Sequence, residues 1–181
     1  ELDHPNIVSL KNWGNYQGTP YLALEYIPGS TLAQILDKNP PLAPRHAARL
    51  FSCVLDALDY SLRHRIIHRD IKPSNILVSI HDEGPNPKVI DFGIAKATHG
   101  SLTDKTLFTE YRQLIGTPVY MSPEQAEMSS ADIDTRTDIY SLGVLLYELL
   151  TGTKPFDMKS LLEQGYGEIL RTIREVDPPR P

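Results

Sequence analysis

Two polar clusters lie against short apolar segments of β type, where a backbone can hold them rigidly. The first, His68-Arg69-Asp70-Ile71-Lys72-Pro73-Ser74-Asn75, runs directly into Ile76-Leu77-Val78. The second, Asp91-Phe92-Gly93, directly follows Val89-Ile90. Turn formers, His81 to Pro87, separate the two strands. Strands joined by a turn bring their far ends together, so Asn75 and Asp91 meet at one end of a hairpin. An amide oxygen and a carboxylate converging there make a hard, oxygen-only site with room for water and phosphate, which suits Mg²⁺. Asp70, five residues before Asn75, can face the same point as a base or orienting group. Lys72 adds a cation aimed at developing phosphate charge.

The elements that must carry these clusters are legible in outline. Ile7 to Leu10 and Tyr21 to Tyr26 read as an antiparallel pair of strands, with Asn15 and Gly18-Thr19-Pro20 as turn chemistry between them. Pro28-Gly29 stops the second strand, and Ser30 or Thr31 caps a short helix carrying Leu32, Ile35 and Leu36. A longer helix runs from Pro44 to about Arg65, its apolar residues recurring at three and four. Ile66-Ile67, Ile76 to Val78 and Lys88 to Ile90 are short β-type pieces. From Phe92 to Ser122 the chain is polar and aperiodic, and a loop that long inside a compact domain is usually functional. Thr137 caps a helix whose apolar residues, Ile139 to Leu150, go nearly all the way round, which places it at the centre of a core. Gly152 and Pro155 end it.

Composition sets the bounds. The chain has 181 residues, 40 % of them apolar and 23 % charged, as in an ordinary globular protein. Its net charge of −5 argues against a non-specific grip on nucleic acid or on an anionic membrane surface. The single cysteine, Cys53, excludes an internal disulfide and suits a reducing compartment. It reads as a small buried hydrophobe rather than a nucleophile. The six histidines lack metal-ligand spacing. The start, Glu1-Leu2-Asp3-His4-Pro5, does not resemble a signal peptide, and the most apolar stretch is too short to span a bilayer.

Taken singly, Asp-Phe-Gly is most often a turn and His-Arg-Asp a solvated loop. Here both stand in order with Gly116-Thr117-Pro118-Val119-Tyr120-Met121-Ser122-Pro123-Glu124 and with Asp138 near the start of the buried helix. That set resembles the eukaryotic-type protein kinases, with Ser122 in place of the usual Ala. The resemblance implies an α+β fold: a mostly helical C-lobe with the last strands and hinge of the N-lobe attached. Residues 1–27 would be the end of the N-lobe and the hinge, 28–181 the C-lobe, and 91–124 the activation segment.

The same resemblance implies roles. Asp70 would accept or orient the proton of the substrate hydroxyl, Lys72 would contact the γ-phosphate, and Asn75 and Asp91 would hold Mg²⁺. Leu24 would be the gatekeeper, Glu25 and Ile27 would offer backbone groups to the adenine of ATP, and Leu77 would lie beneath it. Leu10, His68 and Phe92 would stack as part of a hydrophobic spine, and Gly93 completes the Asp-Phe-Gly turn. Asp138 would anchor the catalytic-loop backbone, Thr117 would contact Asp70 and Lys72, and Glu124 would pair with an arginine further on. Arg69 would receive a phosphate on the activation segment, with Thr109 the first choice of acceptor and Thr106 the second.

Lys72 and Thr117 resemble the serine/threonine branch, and the wording of Ile66 to Val78, of Gly116 to Glu127 and of Arg136 to Asp157, with the final Pro-Pro-Arg-Pro, looks most like bacterial members, of planctomycete type. The expected activity is transfer of the ATP γ-phosphoryl group to protein serine or threonine hydroxyls. A pseudokinase or scaffold module is the alternative, against which the joint presence of Asp70, Lys72, Asn75 and Asp91 speaks. No Gly-rich loop, nucleotide lysine or glutamate of the small-lobe helix is present, so the sequence reads as a fragment whose isolated chain is inactive. The expected setting is cytoplasmic, with no nucleic acid or membrane contact in this segment and any anchor lying outside it.

Overall fold

The computed structural model describes residues 2–38, 41–81, 84–92, 118–127 and 134–181. Gly93, Thr106, Thr109 and Thr117 lie outside the described residues, as does most of the segment 91–124.

Strands β1 (Leu10–Tyr16) and β2 (Thr19–Leu24) pair antiparallel, Leu10 opposite Leu24 and Tyr16 opposite Thr19. Gln17 and Gly18 both take positive φ, 51° and 83°, which matches the twist of a two-residue hairpin. The Asn15 side chain accepts the Gly18 N–H at 2.8 Å. The hairpin was foreseen, but its first strand begins at Leu10 rather than Ile7. The reason is burial: Ile7, 2 % exposed, enters the core and makes a single parallel bridge to Val89. Val8 and Asn6 exchange backbone bonds with Val89, and the chain then leaves for the hairpin.

A second sheet has the order β3-β4-β5, antiparallel throughout, from Ser30–Thr31, Ile76–His81 and Gly84–Val89. Helix α1 (Leu32–Lys38) starts at Thr31, whose hydroxyl accepts the Gln34 N–H while the Gln34 side chain accepts the Thr31 N–H. Helix α2 (Pro44–Arg63) buries Ala47, Leu50, Val54, Ala57, Leu58 and Ser61, whereas Leu55 and Leu62, expected on the same apolar face, are exposed. Ile66-Ile67 forms no strand: Arg65 turns left-handed at φ 61°, and the Ile66 N–H closes back on Ser61, ending α2.

Helix α3 (Pro123–Ala126) is short. Helix α4 (Thr135–Thr151) is capped by Asp134, whose carboxylate accepts the Arg136 N–H; Thr137 is buried one turn inside. Gly152, at φ 73°, ends it as expected. Its burial is one-sided rather than all round, because Val144, Leu145 and Leu149 face the core while Ile139 is 65 % exposed. Helices α5 (Met158–Gln164) and α6 (Tyr166–Glu175) fall in the part expected to be helical only through the family resemblance. Ile169, Thr172 and Ile173 at three- and four-residue spacing were the signal.

The main core joins Leu32 and Leu36 of α1, the inner face of α2, Ile76, Val78 and Val89 of the sheet, and Leu145 and Leu149 of α4. Ile71, in the first polar cluster, is fully buried among them. A loop that carries polar chemistry is thereby pinned between two helices and a hairpin, and the α+β class expected from the sequence is the one observed.

Gly29 shows how closely the segment after β2 lies on that sheet. A Cβ there would stand 2.1 Å from the Val78 carbonyl oxygen. Gly29→Ala therefore forces backbone apart, and overpacking of this kind costs about 1–3 kcal/mol or more. Urea unfolding of the variant checks this, and an unchanged midpoint would show that the approach is not obligatory.

Candidate active site

The loop between α2 and β4 is built by long-range backbone bonds. Asp138, in the first turns of α4, accepts the His68 N–H through one carboxylate oxygen at 2.9 Å and the Arg69 N–H through the other at 2.8 Å. Arg69 takes a left-handed φ of 66°, uncommon for a residue with a side chain. Its carbonyl accepts the Gln125 side-chain amide at 2.9 Å. Among the described residues, its buried Nε has no partner.

His68 is fully buried and its ring packs on Phe92, centroids 4.6 Å apart. Nδ1 lies 3.2 Å from the Asp70 N–H and accepts from it, so the proton sits on Nε2, which donates to the Ile90 carbonyl at 2.9 Å. Both ring nitrogens are thus matched to the neutral form. Burial holds its pKa below the ordinary histidine range, outweighing the Ile90 bond and the carboxylates of Asp138, Asp70 and Asp91, which pull it up. Leu10, the third expected member of the stack, is partly buried but stands outside the described core that includes Phe92.

Asp70, Lys72 and Asn75 come together as expected. The Lys72 ammonium lies 2.8 Å from Asp70 Oδ2, and Asn75 Nδ2 donates to that same oxygen and to the Asp70 carbonyl, each at 2.9 Å. With Nδ2 committed to Asp70, the Asn75 amide presents its oxygen as an acceptor. A 3-10 turn, Pro73–Asn75, delivers it into β4.

The hairpin does bring the second cluster to this end. Ile76 pairs with Val89, the Ile90 N–H donates to the Asn75 carbonyl at 2.9 Å, and Asp91 follows, exposed and at φ 58°. The Asn75 amide oxygen and one solvent-facing carboxylate suit a hard cation that keeps most of its water or phosphate ligands. Among the described residues there is no group of three or more His, Cys, Asp or Glu that would cage a metal.

Strand β2 ends at Leu24, 42 % exposed, and Glu25 and Ile27, both half-buried, follow it. Leu77 stands in β4 opposite Thr31 and Lys88. The Glu25 N–H is bonded to the Ser9 carbonyl. Its side chain does work that sequence reasoning missed: Oε1 accepts the Ser9 N–H at 2.8 Å and the Lys88 ammonium at 2.7 Å. The Lys88 bond is the main reason its carboxyl is held below the usual range. Glu124 accepts the Thr137 hydroxyl at 2.8 Å. The Cys53 thiol, half-buried on α2, is pushed up by burial, in line with an unreactive thiol. No helix among the described residues is long and apolar enough to cross a membrane.

The family model for the protein kinase domain matches residues 1–179. The serine/threonine-protein kinase PknB of Mycobacterium leprae is 40 % identical over 172 residues, 93 % of this chain and 26 % of that protein. PrkC of Bacillus subtilis, named likewise, is 42 % identical over 159 residues, 88 % of this chain and 23 % of that protein. The serine/threonine-protein kinase pkn3 of Myxococcus xanthus is 41 % identical over 180 residues, 98 % of this chain and 32 % of that protein. The chain thus spans between about a quarter and a third of the relatives it matches.

The neutral His68 gives the loop a pH dependence. The folded state binds the ring proton less readily than the unfolded chain, whose histidine titrates near ~6.5. The stability it carries is complete above that value and is lost as pH falls below it toward the lower folded pKa. Denaturant unfolding between about pH 7.5 and 5 should show this acid-side slope, and His68→Phe should flatten it. An equal slope in the variant would assign the proton uptake elsewhere.

Proposed function

The chain belongs to the protein kinase family, and from that premise we propose that it forms the catalytic segment of a serine/threonine kinase that moves the γ-phosphoryl group of ATP onto protein hydroxyls. The observation that carries the proposal is the Asp70–Lys72–Asn75 cluster, with Asp91 delivered beside it by the hairpin. A binding module has no chemical need for all four. The three relatives quoted are bacterial and bear serine/threonine kinase names.

In this reading the Asp70 carboxylate takes or orients the proton of the incoming hydroxyl. The hydroxyl oxygen forms its bond to the γ-phosphorus as the bond to the departing ADP oxygen breaks. Lys72 meets the negative charge on the transferring group, and its contact with Asp70 sets the spacing of acid and cation. The family uses ATP with a divalent cation. Mg²⁺ is the ion proposed here, held by Asn75 and Asp91, where it would neutralise phosphate charge. Leu24 and Leu77 would border the adenine. The Glu25 N–H already serves Ser9, so its carbonyl and the Ile27 backbone are the groups proposed for the base.

Arg69 fits the receptor proposed for an activation-segment phosphate, with Thr109 as the residue that carries it. Its Nε, buried and without a partner among the described residues, is a donor that such an anion would satisfy. A cytoplasmic setting for the domain, with protein as the substrate class, completes the proposal.

Two measurements on the intact protein test it. Asp70→Asn should preserve folding and nucleotide binding while lowering phosphoryl transfer to a generic basic protein by about 10²–10⁴-fold. Undiminished turnover would remove Asp70 from the chemistry. Asp91→Ala should abolish the Mg²⁺-dependent part of the thermal shift caused by ATP, and a shift equal to that of the parent would show that Asp91 is not a ligand.

A further inference from the structure

We propose that Gln125 is a positioning residue for phosphoryl transfer, its side-chain amide clamping the strained turn before Asp70 to the short helix α3 that closes the activation segment. The inference rests on the phosphotransfer reading and adds a residue to it.

Both ends of the Gln125 amide are in use. Oε1 accepts the Ser122 N–H at 3.0 Å, closing the cap of α3, and Nε2 donates to the Arg69 carbonyl at 2.9 Å. Reversing the amide would set oxygen against the Arg69 carbonyl and NH₂ against the Ser122 N–H, so the network fixes its orientation. The Arg69 peptide groups are therefore held on both sides, the N–H by Asp138 and the C=O by Gln125. The residue so held is left-handed and immediately precedes Asp70.

The clamp is itself anchored. Ser122 is fully buried and donates to the Thr137 hydroxyl at 3.3 Å, and the Thr137 hydroxyl donates to Glu124 at 2.8 Å. Ala126 of α3 is buried against Ile169 and Ile173 of α6. Thr137 and Asp138 are consecutive in α4, so the bonds run in a closed circuit: Arg69 to Asp138, Thr137 to Ser122, and Gln125 back to Arg69. A circuit of this kind transmits displacement of α3 to the residue before Asp70. Glutamate at position 125 would keep the acceptor for Ser122 but lose the donor, and an apolar residue would lose both.

Gln125→Glu in the intact protein is the test. The expected result near about pH 8 is a fall in kcat of about 10- to 100-fold, the scale of a small misplacement at a reacting centre. KM for ATP stays within about twofold, because nucleotide contacts are untouched. Acidification toward about pH 5.5 partly protonates the new carboxyl, which can then donate to the carbonyl, so the variant-to-parent kcat ratio rises. Arg171→Ala breaks an exposed ion pair with Glu168 on α6, outside the circuit, and leaves kcat within about twofold. Amide hydrogen exchange, which needs no turnover, should quicken across residues 68–71 in Gln125→Glu and stay unchanged along α2. If the parent transfers no phosphate, the functional reading fails and exchange alone judges the clamp. Unchanged exchange at 68–71 overturns the role. So does a kcat near that of the parent, a ratio flat across pH, or an equal kcat loss in Arg171→Ala.

Discussion

One carboxylate carries the site. Asp138 accepts two consecutive backbone N–H groups, of His68 and Arg69, about seventy positions earlier in the chain. Hydrogen bonds to a charged group contribute about 1.5–3 kcal/mol each, whereas the left-handed conformation of Arg69 costs about 1–2 kcal/mol. The comparison decides the matter: one side chain on α4 suffices to hold a turn that the chain would not adopt alone. Asp138 can do so because α4 is itself immobilised, with Leu145 and Leu149 fully buried against α2, the sheet and Ile71. Core packing at one end of a helix thus becomes positional accuracy at the other.

The Asp70–Lys72 pair has a different character. The side chains remain 31 % and 19 % exposed, and ion pairs in contact with water contribute about 0–1 kcal/mol to stability. The pair is therefore a poor candidate for holding the fold together. Its value is geometric: with Asn75 on the same carboxylate oxygen, it restricts where that carboxylate can point. Glu25 and Lys88 make a comparable short contact at the segment after β2, where Glu25 also receives the Ser9 N–H. There the bonds join strand β5 to the chain on both sides of the first hairpin.

The sequence disclosed what was local. Helices α2 and α4 stood out through apolar spacing, the first hairpin through its turn residues, and Asp70, Lys72, Asn75 and Asp91 because each cluster abuts a strand; Gly84 to Pro87, turn formers by type, instead pair with β4 as the start of β5. Asp138 was legible only through family resemblance, since nothing in its neighbours announces a bond to residue 68. The misplaced start of β1 has a related cause: Ile7 and Val8 look like strand residues, but Ile7 serves a core assembled from remote elements. Gln125 was passed over as one more polar residue after a proline, although its partner lies 56 positions away. Long-range bonds from uncharged side chains leave no periodic trace.

The two carboxylates that matter most are positioned by one device used twice. Arg69 precedes Asp70, and its N–H and C=O are taken by Asp138 and Gln125. Ile90 precedes Asp91, and its N–H and C=O are taken by the Asn75 carbonyl and the His68 ring. In each case the constraint falls on the peptide groups one residue upstream, and a positive φ, 66° at Arg69 and 58° at Asp91, turns the chain at the point of use. Pinning the backbone rather than the carboxylate leaves Asp91 solvent-facing, as the cation proposed for it requires. The two pins also share a member, because His68 bonds Ile90 through its ring and Asp138 through its N–H. Asp70 and Asp91 are therefore both registered to a single buried histidine, and displacing that ring would move both at once.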